Sequence, residues 1–262
     1  NFRYPESVGF ESCIHHRGNR IIRHTMNTSD SSKTSSPAIE RHIASGEVCC
    51  DPVWEEAYRR FESPEEEIEK FIKRLKAMGF QNHDPDNRVI ELFCGRGGGL
   101  TALKRLGFNC LEGVDLSETL LLQNEPGAKL HLADCRDLPF EDATVDTVVI
   151  HGGLHHLPDL PEDLARVLSE VHRVLGSEGT FHIVEPWLTP FLRFVHCMVE
   201  QPLVRRLYKR GDALAVMIEH ERETYEQWLN QPAVIRDMLR QNFLPILDRT
   251  AWGKLHFSGR KR

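Results

Sequence analysis

The stretch VIELFCGRGGG, at positions 89–99, joins an apolar run directly to a group of glycines. Such a run is typical of a strand buried on both faces, and residues 100–106 after it have helical spacing. Glycine is conformationally costly, so a cluster of glycines indicates a sharp turn or a very close approach by another group. The stretch therefore predicts a strand, a glycine turn and a helix, with room for a ligand close to the backbone.

The same alternation continues along the chain. The pattern predicts strands at 88–93, 109–115, 130–133, 145–151 and 180–185, and helices at 100–106, 117–122 and 161–175. Buried strands that alternate with helices form a parallel, doubly wound α/β sheet. In open sheets of this class, ligands bind beyond the carboxyl ends of the strands, so the glycine turn is the predicted ligand site.

The domain organisation follows from changes in composition. Residues 1–38 are polar and rich in Ser and Thr, and we expect them to be disordered because they bury too little apolar surface. Residues 39–80 form predicted N-terminal cap helices, with Ser63 as a candidate N-cap. Residues 81–262 form one predicted domain, which includes a helical insert at 187–242.

The composition excludes several classes of function. A net charge of −6 argues against a nucleic-acid surface. The seven cysteines include no C-x-x-C pair of the kind that would indicate a zinc site or a redox motif. The sequence contains no run of about 18 apolar residues, so it does not predict a membrane span. We therefore expect a cytoplasmic protein that binds neither nucleic acid nor a metal; its oligomeric state is not predicted.

A second feature narrows the choice of ligand. Twenty residues after Gly95, the second strand of the sheet ends at Asp115, an acid placed to bond the hydroxyls of a ribose. A nucleoside-containing cofactor is the prediction, and NAD and S-adenosylmethionine both satisfy it. The dinucleotide pattern G-x-G-x-x-G is incomplete, because Leu100 stands where the third glycine belongs.

Five pieces of the sequence resemble, in their order and spacing, the class I, seven-stranded S-adenosylmethionine-dependent methyltransferases of the type 11 group. The pieces are VIELFCGRGGG, GVDLS, ADCRDLPFEDATVDTVV, HGGLHHLPD and LSEVHRVLGSEGTFHIVEP. The resemblance covers roughly residues 80–190. It implies a Rossmann-like, mostly parallel sheet of seven strands with an antiparallel C-terminal hairpin. It also implies methyl transfer from S-adenosylmethionine to a small-molecule acceptor by in-line displacement.

The resemblance further implies roles for single residues. Glu91 matches the acid that orients the methionine end of the cofactor, Asp115 the ribose acid, and Asp134 the acid that meets the adenine amino group. The other implied cofactor-contacting residues are Phe93, Gly95, Gly97, Leu116, Cys135 and His151. Phe93 departs from the family pattern, which usually has glycine at this position.

The acceptor side is less defined by the sequence. His151 is the candidate catalytic residue, as a base beside the methyl group. The predicted substrate-pocket residues are Trp54, Tyr58, His155, Phe191 and Phe194. Core packing is the alternative interpretation of the aromatic residues, and the apolar face at 191–199 could also lie on a membrane surface. A pocket built from these side chains would suit a small, partly apolar acceptor.

Two other classes of function stay open at this point. One is an NAD-dependent oxidoreductase, against which the missing third glycine and the absence of a Tyr-x-x-x-Lys pair both argue. The other is a non-catalytic module that binds S-adenosylmethionine but has no acceptor pocket. A filled space above His151 would favour that second class.

Overall fold

The computed structural model describes residues 37–44, 51–125 and 127–262. Of the tail predicted at 1–38, all but the last two residues lie outside the described residues, so its disorder stays a prediction. Within the described ranges the chain alternates strands and helices, as the sequence predicts.

One mixed sheet of eight strands forms the centre of the described fold. The strands are β1 (Ile39–Arg41), β2 (Arg88–Leu92), β3 (Cys110–Asp115), β4 (Lys129–Leu132), β5 (Val145–His151), β6 (Leu175–Pro186), β7 (Phe243–Ala251) and β8 (Lys254–Lys261). Their order across the sheet is β1-β4-β3-β2-β5-β6-β8-β7. Strands β1 to β6 run parallel to one another, whereas β8 is antiparallel to both β6 and β7.

This architecture confirms the predicted fold class, with one addition. The C-terminal hairpin that the resemblance implies is present and turns at Trp252-Gly253. Strand β1 is an extra edge strand that pairs with β4, and the sequence analysis missed it. Three residues of mixed polarity are too few to show the alternation that indicates a strand.

Ten helices in the described residues surround the sheet. They are α1 (Pro52–Phe61), α2 (Pro64–Ala77), α3 (Gly98–Arg105), α4 (Glu118–Leu121), α5 (Glu162–Val174), α6 (Pro190–Val199), α7 (Pro202–Leu207), α8 (Lys209–His220), α9 (Arg222–Leu229) and α10 (Pro232–Asn242). Helices α6 to α10 lie within the insert predicted at 187–242. Helix α1 packs on α8, which joins the N-terminal cap to this insert.

Local signals fix where the helices begin and end. Ser63 caps α2 as predicted, because its side chain accepts from Glu66 N while the Glu66 carboxylate accepts from Ser63 N. Helix α5 follows the predicted boundaries to within a residue and ends at Val174. The chain becomes extended at Leu175 and enters β6 directly, so this strand is longer than the predicted 180–185.

Each face of the sheet carries its own apolar core. On one face, α5, α9 and α10 bury residues such as Leu168, Trp228 and Leu239. On the other face, α2 and α3 bury Phe71 and Leu103 against the strands. Two covered faces are expected of a parallel sheet, whose connections place helices on both sides.

The buried His182 side chain makes folding sensitive to acid. It lies in β6 at 2% exposure, where Nδ1 bonds Ser258 Oγ at 2.8 Å and Nε2 has no partner among the described residues. Burial, with a contribution from His83, lowers the pKa of His182 to about 3. An unfolded histidine titrates near pH 6.5. Below that pH, His182 therefore binds a proton in the unfolded chain but stays neutral in the folded chain.

We expect the stability to fall as the pH drops from 6.5 toward 4. The contribution of one such group approaches about 1.4 kcal/mol per pH unit. Urea unfolding at several pH values should therefore show that the free energy of unfolding of His182→Gln depends less steeply on pH than that of the wild type. The difference in slope should correspond to close to one proton. Other titrating groups cancel in this comparison of wild type with variant. An unchanged slope would mean that the imidazole is protonated in the folded state.

Candidate active site

The loops that follow the parallel strands meet at one edge of the sheet. Strands β2, β3, β4 and β5 are neighbours in register, so their carboxyl ends lie side by side. This arrangement brings the glycine turn after Leu92 together with Asp115, Asp134 and His151, which lie at or just beyond the ends of the other three strands. The edge is therefore the candidate site, at the position that the sequence predicts.

The glycine turn has the left-handed backbone that its sequence implies. Gly95 and Gly97 have φ angles of 51° and 83°, and Phe93 has a φ of 56° despite its side chain. A positive φ is uncommon for a bulky residue and is strained. Gly153 makes room for this ring, since a Cβ built on Gly153 would lie 2.2 Å from Phe93 Cγ. The departure at Phe93 thus keeps the backbone turn but fills space beside the loop that follows β5.

Several loop glycines are required by neighbouring side chains of the chain itself. A Cβ on Gly97 would lie 2.0 Å from Asn124 Oδ1, and one on Gly99 would lie 1.8 Å from Glu91 Oε1. Asn124 also donates to Gly95 O at 2.8 Å, which ties the turn to the region after α4. At Gly95, by contrast, a Cβ would meet only Leu120, at 3.9 Å. The backbone at Gly95 is therefore the part of the turn that a ligand can approach.

Asp115 anchors the same turn. Its carboxylate accepts from Gly95 N and from Ser117 N, each at 2.8 Å and each through a different oxygen. Each oxygen keeps a second lone pair, so two further donors can bind. Burial raises the pKa of this carboxyl, and the backbone N–H bonds only partly offset the effect. A pair of hydroxyl donors would restore some of the solvation that this carboxylate has lost.

Glu91 and His151 form a buried pair at the ends of β2 and β5. His151 Nδ1 lies 3.4 Å from Glu91 Oε1, and both side chains are at most 3% exposed. Glu91 Oε2 and His151 Nε2 have no hydrogen-bond partner among the described residues. Burial raises the pKa of Glu91 well above its usual range, and the carboxylates of Glu67 and Asp115 add to the shift. A buried carboxyl with one partnerless oxygen suits a cationic ligand group.

Phe71 of α2 covers the imidazole of His151. The two rings stack at a centroid distance of 4.5 Å and an interplanar angle of 14°. Burial lowers the pKa of His151 well below its usual range, and the positive charges of Arg74 and Lys70 act in the same direction. The imidazole is therefore neutral near pH 7. One ring face is covered, while the Nε2 edge has no partner within the part of the chain that is described.

The residues predicted around the adenine occupy different environments. Asp134 is held by Arg136, which donates from its backbone N at 2.8 Å and from Nη2 at 2.7 Å. Burial raises the pKa of Asp134, but these bonds outweigh it and leave the pKa lowered. Cys135 is packed in the apolar core of the α5 face, and Leu116 is half-buried. An adenine amino group could reach Asp134 only by competing with Arg136.

Glu185, at the end of β6, is a site residue that the sequence analysis missed. It is fully buried and accepts from Gly153 N at 2.8 Å, Leu154 N at 2.9 Å and His155 Nδ1 at 2.8 Å. This carboxylate fixes the loop that follows β5. The bond to Glu185 fixes the His155 ring, which indicates a structural role for this residue. The bond uses Nδ1 and leaves Nε2 unused. The signal in the sequence was the acid in HIVEP, which closes a buried apolar strand.

The aromatic residues of α1 lie beside this edge. Trp54 stacks on Tyr58 at 5.2 Å and donates to Glu221 at 2.9 Å, while its ring edge lies 6.0 Å from His156. Arg96 of the glycine turn lies over the ring of Tyr58 at 4.8 Å. Trp54 and Tyr58 therefore contact the loops after β2 and β5. That they line a substrate pocket stays a prediction.

Phe191 and Phe194 do not join this group through any described contact. Their side chains are 44% and 62% exposed, and Phe191 instead lies edge-on against Trp252 at 5.3 Å. The reason is the position of α6, which begins after β6 has left the sheet and turns this part of its surface outward. Their role in the substrate pocket stays a prediction without a supporting contact.

A group of basic side chains lies near His151. Arg74 lies one turn after Phe71 on α2, with its guanidinium 5.8 Å from the Phe71 ring. Lys254 and His256 lie on β8, opposite Pro186 and Val184, and Val184 is in turn the neighbour of His151. Arg74 and Lys254 have no hydrogen bond or ion pair with any described residue, and burial beside Arg74 lowers the pKa of Lys254 to about 8. The sequence analysis missed this basic group, because its members come from two distant segments.

One cluster at the site has the composition of a metal-binding group. Ligand atoms of His155, His156 and Glu221 lie within 4.8 Å of one another. Two of the three are already engaged, His155 with Glu185 and Glu221 with Trp54. The prediction that the site uses no metal is not tested by these contacts.

Comparison with known proteins shows that the middle of the chain resembles methyltransferases. Residues 90–183 match the family model described as a methyltransferase domain. A demethylmenaquinone methyltransferase of Alkalihalophilus pseudofirmus is 31% identical over 118 residues, which are 41% of this chain and 46% of that protein. A phthiotriol/phenolphthiotriol dimycocerosates methyltransferase of Mycobacterium ulcerans is 36% identical over 98 residues, 35% of each chain. The matches thus span less than half of these relatives.

The fold agrees with a solved structure. The crystal structure of the PH0226 protein from Pyrococcus horikoshii superposes with a TM-score of 0.61, at 19% identity, over 81% of this chain and all of that one. At this identity the superposition establishes the fold alone. Residues 90–183 are therefore similar to a methyltransferase domain, within an α/β fold that the Pyrococcus structure shares.

Proposed function

We propose that this protein transfers a methyl group from S-adenosylmethionine to a small-molecule acceptor. The observation that carries the proposal is the pair of partnerless buried atoms, Glu91 Oε2 and His151 Nε2, beside the glycine turn. One is an acid suited to a cationic group and the other a neutral base. A structural role alone gives no reason to bury both without partners, since an unsatisfied buried polar atom costs about 1–3 kcal/mol.

The residues present fit the cofactor of the family. Asp115 has free lone pairs for the ribose hydroxyls, Gly95 leaves the backbone open, and Glu91 would be satisfied by the ammonium of the methionine end. When bound, S-adenosylmethionine supplies an electrophilic methyl group, so the protein has only to position the acceptor and exclude water. The Asp134 carboxylate fits less directly, because Arg136 already holds it.

We propose that His151 removes a proton from the acceptor, since its buried Nε2 has no partner among the described residues. If Glu91 is ionised, it accepts from His151 Nδ1–H, and the tautomer then leaves Nε2 as a proton acceptor. The low pKa of the imidazole keeps this nitrogen free of a proton near neutral pH. Arg74 and Lys254 would stabilise the negative charge that develops on the acceptor atom, because both are cations that make no direct ion pair with a described residue.

The relatives support a chemical class for the acceptor. The matched relatives are methyltransferases named for a menaquinone precursor and for phthiotriol dimycocerosates. Trp54, Tyr58 and Phe71 provide aromatic surface near the site. These features favour an acceptor with an apolar body and one ionisable nucleophilic atom.

The ribose assignment provides the test of the proposed function. We expect Asp115→Asn to weaken the binding of S-adenosylhomocysteine by roughly 10- to 150-fold, the equivalent of about 1.5–3 kcal/mol for hydrogen bonds to a charged group. Isothermal titration calorimetry measures the change. The variant should also lose some stability, because Gly95 N and Ser117 N bond different oxygens and an amide has only one oxygen. Binding is therefore measured well below the melting temperature of the variant.

A surface aspartate serves as the control. Asp142 is 79% exposed in its side chain and, within the described ranges, pairs only with Arg173, so Asp142→Asn should leave the dissociation constant unchanged. Equal affinities for wild type and Asp115→Asn would contradict the ribose assignment. Tight binding of NADH without binding of S-adenosylhomocysteine would instead support an oxidoreductase.

A further inference from the structure

Helix α6 is apolar on both its inner and its outer side. Leu192 and Val199 face the core, as expected of a surface helix. The outward positions, however, are Phe191, Phe194 and Met198, which are 44%, 62% and 40% exposed. They lie at i, i+3 and i+7 and therefore form one stripe along the helix. Polar residues normally occupy such a stripe in a protein that is surrounded by water.

The next helix and the hairpin turn extend this stripe. Leu203 and Leu207 lie one turn apart on α7 and are 66% and 75% exposed. Trp252, at the turn between β7 and β8, is 78% exposed and contacts Phe191. Helices α6 and α7 both pack on α8, so their outward faces lie away from it. We call these exposed residues the α6–α7 surface: Phe191, Phe194, Met198, Leu203, Leu207 and Trp252.

Positive charges border the α6–α7 surface. Arg193 on α6, Arg206 on α7 and Lys209 at the start of α8 are exposed, and none has an ion pair within the described part of the chain. One acid, Glu200, lies at the end of α6. The local charge is therefore positive, although the whole chain carries −6. A second copy of the same chain would bring an equally positive surface, so this charge disfavours self-association.

We propose that the α6–α7 surface docks on an anionic lipid membrane. Exposed phenylalanine, leucine and tryptophan side chains bordered by arginine and lysine are the composition of helices that lie in a membrane interface. Tryptophan is favoured at this depth because its ring is apolar while its N–H reaches water. No helix in the described ranges is long and apolar enough to span a membrane, so the contact is peripheral.

Docking in this way would bring the membrane close to the candidate active site. Trp252 is separated from Lys254 by a single residue, and α6 begins shortly after β6 ends at the same edge. An apolar acceptor dissolved in the bilayer could then enter from the lipid side. The docking itself rests on exposure and charge, so it holds independently of the proposed methyl transfer.

Vesicle sedimentation with the full chain tests the proposal. We expect binding to phosphatidylcholine vesicles containing phosphatidylglycerol and much weaker binding to pure phosphatidylcholine. The double variant Arg206→Gln/Lys209→Gln should bind the anionic vesicles roughly 25-fold more weakly, at about 5-fold for each cation near the surface. The double variant Phe194→Ser/Trp252→Ser should lose binding to both kinds of vesicle while keeping its melting temperature, since both side chains are exposed.

Leu122→Ser is the matched control, because Leu122 is 49% exposed but lies after α4, outside the α6–α7 surface. It should bind vesicles as the wild type does. The proposal is overturned if the wild type binds neither kind of vesicle. It is also overturned if Phe194→Ser/Trp252→Ser binds as tightly as Leu122→Ser, or if the surface instead forms a dimer that this double variant dissociates.

Discussion

Replacing Glu185 with alanine is expected to lower the free energy of unfolding by about 3–5 kcal/mol, because it removes a buried carboxylate that accepts three hydrogen bonds. The carboxylate is fully buried and serves three N–H donors of the loop after β5. Alanine would leave the backbone N–H groups of Gly153 and Leu154 without an acceptor. Each buried donor left in this state costs about 1–3 kcal/mol.

Thermal and urea unfolding measure this loss. For a domain of this size, about 2–4 °C of melting temperature corresponds to each kcal/mol, so a decrease of roughly 10 °C or more is expected. Glu185→Gln keeps the volume and one acceptor oxygen, and it should fall between wild type and Glu185→Ala. Its amide nitrogen cannot accept from His155, which prevents full recovery.

Glu178→Ala is the control, because Glu178 lies on the same strand with its side chain 84% exposed. Its loss should stay within about 0.5 kcal/mol, as is usual for surface substitutions. If Glu185→Ala were no less stable than Glu178→Ala, the loop after β5 would not depend on the buried carboxylate. His155 would then be free to move, and its interpretation as a structural residue would be wrong.

The sheet and the glycine turn could be predicted because their signals are local. The apolar run at 145–151 and the stripe of α5 each specify one element, and the parallel arrangement then follows from their alternation. Asp115 could likewise be placed, since a strand end fixes its position relative to the neighbouring glycine turn. In both cases a short stretch of chain determines the geometry.

The partners of the site residues could not be predicted in this way. Arg136 donates hydrogen bonds to Asp134, and the ring of Phe71 stacks on His151. Glu185 accepts from a loop about thirty residues earlier in the sequence. Each of these contacts depends on which side chain fills a space once the elements are packed. Hydrophobic periodicity records that a residue is apolar, not what it touches.

The α6–α7 surface is a second case in which periodicity does not show what a side chain contacts. Phe191, Phe194 and Met198 have the helical spacing of a core-facing stripe, and core packing was a reasonable interpretation of it. The periodic pattern of a stripe buried in the protein is the same as that of a stripe left outside. Only the packing of Leu192 and Val199 against the core leaves the other three facing outward.

Replacing His151 with glutamine is expected to lower kcat for methyl transfer by about 10²- to 10⁴-fold, the usual contribution of a general base. Glutamine keeps a polar side chain beside Glu91 but cannot accept and release a proton near neutral pH. The affinity for S-adenosylhomocysteine should change by less than about 3-fold, because the ribose and backbone contacts lie on β2 and β3. His156→Gln is the matched control, since its ring is partly exposed and contacts Trp54 and His155.

The dependence of kcat on pH separates a catalytic role from a structural one. Burial and the charges of Arg74 and Lys70 lower the pKa of His151, so its neutral, proton-accepting form persists below pH 6.5. An unperturbed histidine base would instead lose activity as the pH falls through about 6.5. Wild-type kcat should therefore stay level from pH 7.5 to 6, and Arg74→Gln should move the acidic decline toward higher pH because it removes a repulsive charge. A His151→Gln enzyme that keeps its kcat, or an acidic decline at pH 6.5 that Arg74→Gln does not move, would rule out His151 as the base.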